Sequence, residues 1–256
     1  MDLKKSIQNS AFVQSFRKKD FFPLAFLDII YYSVFIGAIA FVGRVIFPKF
    51  MQLYKAKDIF SSFQGASLDE LHAAVLQVKQ TYYQFWIYLV LTLLLFFFFY
   101  TFMKSYFWHK AGNQKYSWKI YWRFCLLNLI LLIVFLALGL FIATVINEQN
   151  QVTIFLLILY PIMLYSLNLA HPLLVKTQNL RLMGKQMIKI GLAKIYKFII
   201  PYVLMLLFLI ILLNILLLFQ LFLPDYIYYI IYLLVLVAYT TWVKLYLFEV
   251  IGRNLE

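Results

Sequence analysis

Six stretches of the chain are apolar for long enough to cross a lipid bilayer, and this feature limits the fold more than any other. They cover roughly 22–47, 84–107, 124–146, 152–175, 198–223 and 226–250. A hydrocarbon core ~30 Å thick needs about 20 residues of α-helix, and a helix satisfies its own backbone hydrogen bonds where no water can. The segment LTLLLFFFFY (91–100) is continuously apolar. It lacks the alternation of a strand in an outer-membrane barrel. The expected fold is therefore an all-α, polytopic membrane protein with six transmembrane helices.

Composition agrees. Hydrophobic residues make up 65% of the chain and charged residues only 13%, too few to cover a water-soluble domain of this size. The net charge of +13 does not point to nucleic acid. The basic residues gather beside the apolar runs, as juxtamembrane segments do. A single cysteine, Cys125, excludes an intrachain disulfide and says little about redox compartment.

Charge also sets the expected orientation. The N-terminal arm (1–21), the second and fourth connections, Lys244 and Arg253 place eighteen Lys and Arg on one side. The other side holds five, all around the first connection. By the positive-inside rule both termini are expected in the cytoplasm, with 251–256 a cytoplasmic tail; the cell membrane is the expected location. A signal-peptidase-like AIA at 38–40 is an alternative, with cleavage after Ala40. Against it, the apolar run before the motif is long and contains Asp28.

Two connections carry structure of their own. In the outer one (48–83), SLDE (67–70) has the form of a capping box. Leu71, Val75, Val78 and Tyr82 then repeat at helical spacing. With no Gly or Pro before the second run, one helix is expected from Ser67 to about Phe107. In the cytoplasmic connection 177–197, Arg181, Lys185 and Lys189 fall on one helical face, with Leu180, Met183, Met187 and Ile190 on the other. This predicts an interfacial amphipathic helix with its apolar side in the acyl boundary and its basic side toward anionic inner-leaflet lipids. GAIAFVG (37–43) is the one small-residue stretch suited to close helix packing. Basic and aromatic residues precede each odd-numbered span (FRKKDFF, KIYWRF, KIYKF). That suggests three hairpins, although the preferences of the lipid interface account for the pattern equally.

Polar residues inside apolar runs are the candidate functional positions, because a charge at the centre of a span costs at least ~2.5 kcal/mol. Asp28 in the first span and Lys244 in the sixth lie at similar depth from the cytoplasmic side. Two arrangements are open: an ion pair, or a snorkelling Lys244 with Asp28 satisfied by a hydroxyl or water. Asn128, Asn168, His171, Thr240, Thr241 and Glu249 share that half of the spans, and Pro172 is expected to kink the fourth. The group acts either as polar glue between helices or as the lining of a cytoplasm-facing cavity, and glue is the simpler account.

No catalytic or cofactor-binding motif is present, and the three histidines are scattered along the chain, so no catalytic, cofactor or metal residues are assigned. Two roles follow: a non-catalytic scaffold or interaction component with a membrane-protein partner or a second copy, or a small-solute transporter built on the polar cluster. A water-accessible polar cavity reaching the midplane would mark the second, and a cluster sealed by packing the first. Nucleic acid is not an expected partner.

Overall fold

The computed structural model describes residues 11–16, 20–56, 67–145, 149–192, 195–220 and 222–255. Of the basic residues counted for the orientation, Lys4, Lys5, Arg17–Lys19, Lys57 and Lys194 lie outside the described residues. The described elements are helical, and six helices are long and apolar enough to cross a membrane. The protein is an all-α, polytopic membrane protein.

The helices are α1 (Ala11–Phe16), α2 (Phe21–Phe41), α3 (Phe47–Tyr54), α4 (Leu68–Ala111), α5 (Trp118–Val145), α6 (Gln149–Thr177), α7 (Leu180–Gln186), α8 (Tyr196–Gln220) and α9 (Asp225–Leu255). The chain divides into two compact units, one of residues 1–29 and 101–256, the other of residues 30–100.

In the first unit the packed core is confined to one end of the spans. It is built from the start of α2 (Leu24), the end of α4 (Phe107, Trp108) and the start of α5 (Phe124, Leu127). The end of α6 (Leu169–Val175), the start of α8 (Phe198, Met205) and the end of α9 (Trp242, Leu245–Phe248) complete it. These are the span ends that charge assigns to the cytoplasmic side. Further along, leucines and isoleucines such as Ile133, Leu140, Leu157 and Ile211 are more than half exposed. A bilayer accepts such surfaces, because lipid chains are as apolar as the side chains they meet.

The N-terminal arm is more structured than its charge suggests. Within it α1 packs on α9: Phe12 sits edge-on to Trp242 at 5.3 Å and to Tyr246 at 5.9 Å. Trp242 Nε1 donates to the buried Ser15 Oγ at 2.9 Å.

Two wide turns interrupt the helices for identifiable reasons. Between α2 and α3, Val42–Ile46 forms a π-type turn in which the Phe47 N–H reaches the Val42 carbonyl. Pro48 follows immediately; it has no N–H for the Arg44 carbonyl and its ring crowds that oxygen, so the preceding turn widens. The helix nevertheless continues to Tyr54, beyond the expected end near residue 47. After α7 a second π-type segment, Met187–Leu192, passes close to α6. A Cβ on Gly191 would lie 2.4 Å from Leu169 Cδ2, so a side chain there would force the buried Leu169 to move. The Gly191 carbonyl accepts a 2.8 Å bond from Tyr165.

The segment 177–197 departs from the expected interfacial helix. Asn179 caps α7 by accepting from the Arg181 and Leu182 N–H groups at 2.9 and 3.2 Å. The apolar side, however, is directed into protein: Met183 and Ile190 are buried in the core, with Leu180 and Met187 packed against it. The side expected to enter lipid therefore covers the end of α6. GAIAFVG departs as well, since a Cβ at Gly37 or Gly43 would meet nothing within 4 Å. Pro161 and Pro172 are accommodated inside the continuous helix α6.

The capping box forms as the spacing requires. The Ser67 N–H donates to Glu70 Oε2 at 3.0 Å, and the Glu70 N–H donates to Ser67 Oγ at 3.3 Å. One unbroken helix then runs to Ala111. Ser67→Ala is expected to remove the cap and destabilise the first turns by about 0.5–2 kcal/mol. Faster amide exchange confined to 68–72 is the measurement, and unchanged protection there would refute the cap's role.

Candidate functional site: a sealed polar cluster

α2 and α9 bring Asp28 and Lys244 together, both in the first unit. Asp28 is 4% exposed and Lys244 8%. The Lys244 ammonium donates to Asp28 Oδ1 in a buried ion pair. The second carboxylate oxygen, Oδ2, accepts the Thr241 hydroxyl at 2.6 Å. Thr241 precedes Lys244 by three residues, so one face of α9 presents both donors. Of the two arrangements read from sequence, the ion pair is the one present: Lys244 turns to Asp28 instead of snorkelling, and the Thr241 hydroxyl adds to the pair. The Lys244 ammonium also lies 4.7 Å from the centre of the Phe107 ring, whose face attracts cations.

A second chain of bonds crosses the same core. His171 Nε2 donates to Asn128 Oδ1 at 2.8 Å, and Asn128 Nδ2 donates to Thr101 Oγ1 at 3.0 Å. The Asn128 carbonyl can only accept, which fixes the His171 proton on Nε2. The imidazole stacks on Phe124 with ring centres 5.4 Å apart. Asn128, His171, Thr101 and Thr241 are all buried.

Between the two groups stands Lys104, half-buried on α4 and in electrostatic range of Lys244, Asp28 and His171. Sequence reading placed it among the charges of the second connection. The structure moves it into the cluster together with Thr101, which the reading also missed. A signal was available: Thr101, Lys104, Ser105 and Trp108 repeat at 3, 4 and 7 along an apolar helix, a polar stripe on one face.

The other expected members lie apart. Asn168 interacts with Tyr202 on α8. Thr240 donates to the Val237 carbonyl of its own helix at 2.9 Å. Glu249 is half-buried, more than one turn beyond Lys244 on α9. Arg181, Lys185 and Lys189 are exposed along α7 and the wide segment after it.

Toward the loop between α4 and α5, Ser105 Oγ lies 3.1 Å from the Tyr116 hydroxyl, and His109 Nδ1 donates to the Ser105 carbonyl at 2.8 Å. Burial pushes the Tyr116 hydroxyl above its usual range, against the opposing effect of the Ser105 bond. His109 Nε2 and Trp108 Nε1 are buried without a hydrogen-bond partner among the described residues.

Chemically, the cluster is a satisfied polar core. It holds one carboxylate with both oxygens engaged and an amide bonded on both its oxygen and its nitrogen. Among the described residues no three His, Cys, Asp or Glu converge as a metal site. A groove of about 640 Å³ lies in the second unit and is apolar, lined by Val34, Gly37, Phe41, Tyr88, Leu95 and Phe99 among others. The chain matches no known family model, no curated protein and no solved structure.

Proposed function

We propose that the protein is a non-catalytic scaffold or interaction component of the cell membrane, with both termini in the cytoplasm. The observation that carries this reading is the closure of the polar cluster. Asp28, Lys244 and Thr241 bond in one group and Asn128, His171 and Thr101 in a second, all six under 9% exposed, with the half-buried Lys104 between the groups. A solute pathway needs polar groups that meet water or substrate, whereas a cluster whose groups satisfy one another fixes which helices pack together. The protein then acts through its surfaces. The exposed Arg181, Lys185 and Lys189 face anionic inner-leaflet headgroups, at about 1 kcal/mol per basic residue.

Purification in a mild detergent, followed by mass spectrometry, tests this reading. A protein retained in stoichiometric amount is the expected result. Solute flux in proteoliposomes that is abolished by Asn128→Leu, in protein that still folds, would replace it with the transporter reading.

The proposed orientation rests on the charge bias, which survives at sixteen to five once Lys104 and Lys244 are assigned to the cluster. In intact cells a cysteine at Glu148 is expected to react with an impermeant maleimide, while cysteines at Lys115 and Lys185 stay unlabelled. Labelling at Lys185 would invert the topology.

A further inference from the structure

The 44-residue α4 is ~66 Å long at 1.5 Å per residue, about twice the thickness of a hydrocarbon core. Its first turns contain Asp69, Glu70, His72, Gln77, Lys79 and Gln80, so this is the part that stands in water. One stripe of it is nevertheless apolar: Leu68, Leu71, Val75, Val78 and Tyr82, at spacings of 3, 4, 3 and 4. Leu68 is 85% exposed, Leu71 39%, Val75 45% and Tyr82 49%, while Val78 is half-buried. An alternation of 3 and 4 is the 3.5-residue period of a left-handed coiled coil.

We propose that residues 68–82 of α4 pair with the same segment of a second copy as a parallel coiled coil. Three observations favour a second copy. Copies inserted in one membrane share an orientation, so their α4 helices run parallel, and continuity with the span sets Leu71 of each copy at the same height. The positions flanking the stripe on one side are Ser67, Ala74 and Thr81, and on the other His72 and Lys79. Parallel pairing sets Ser67 against His72 and Ala74 against Lys79, so no like charges oppose each other. Finally, α4 is unbroken from Leu68 to Ala111, so the segment does not fold down to lay its stripe on lipid. The proposal is independent of the sealed cluster and holds for either functional role.

Single cysteines scanned through the segment in native membranes, in a Cys125→Ser background, provide the test. Mild oxidation is expected to give adducts of twice the chain mass at Leu71, Val75, Val78 and Tyr82, several-fold above the yield at Ala73, Gln77 and Gln80. Adding Leu71→Glu to the Val78→Cys protein is expected to lower its yield to that at Gln80. The proposal is overturned by an absence of adducts, by yields without helical periodicity, or by a yield indifferent to Leu71→Glu. An adduct with a different protein in place of a second copy overturns it too.

Discussion

Asp28→Asn is expected to destabilise the protein by about 3–5 kcal/mol, the usual result of removing one partner from a buried ion pair. The physical reason lies in what remains. Lys244 keeps its charge inside the core beside the Phe107 ring face but without the Asp28 carboxylate, and the half-buried Lys104 stays nearby as a second basic group. Lys244→Met is expected to cost less than Asp28→Asn. Asp28 then retains the Thr241 hydroxyl at 2.6 Å and can draw on Lys104. The double variant Asp28→Asn/Lys244→Met should recover part of the loss, because no unpaired Lys244 charge is left and Met fills the lysine's place against Phe107. Thermal unfolding in detergent, followed by tryptophan fluorescence, measures all four proteins of the cycle. Losses that simply add would show that the two residues act independently, contrary to the pairing.

The second large effect is expected at Asn128. Leucine there is close in size but leaves the Thr101 hydroxyl and the His171 N–H without their partners, at about 1–3 kcal/mol for each orphaned group. Thr101 can turn its hydroxyl to a carbonyl of its own helix, which places the total toward ~2–4 kcal/mol. His171→Phe in the same background relieves the second orphan and keeps the stack on Phe124. The double variant is therefore expected to be more stable than the sum of the single effects predicts, with a coupling of ~0.5–3 kcal/mol. Additivity, or a harmless Asn128→Leu, would show that the bonds at 2.8 and 3.0 Å contribute nothing net.

Much of this was legible from residue types and spacing because the controlling physics is local. A span in hydrocarbon has no backbone partner but itself, so each apolar run had to be a helix, and six are. The start of α4 was legible for the same reason. Ser67 and Glu70 are three residues apart, and their reciprocal bonds need nothing from the rest of the chain. The approach of Asp28 to Lys244 was partly legible, because two opposite charges at one depth in lipid each lack a better partner.

Other features required the fold. The charge count gave Lys104 to a connection although the apolar run 84–107 contains it, since a charge near a span end reads as cytoplasmic; the packing of α4 against the other helix ends draws it inward. An amphipathic helix has the same pattern whether its apolar side meets lipid or protein, so 177–197 read as interfacial although Met183 and Ile190 are buried in the core. Gly37 and Gly43 marked a seam that no neighbour fills, while Gly191, in an unremarkable stretch, lies where a Cβ would displace Leu169. Asn168 and His171 are nearly one turn apart on one helix, yet α5 meets His171 and α8 meets Asn168. By itself, then, the sequence determined the solvent, the number of spans and the start of the long helix. The tertiary structure alone decided which groups became partners, because that depends on how six helix ends, far apart in the chain, pack around one core.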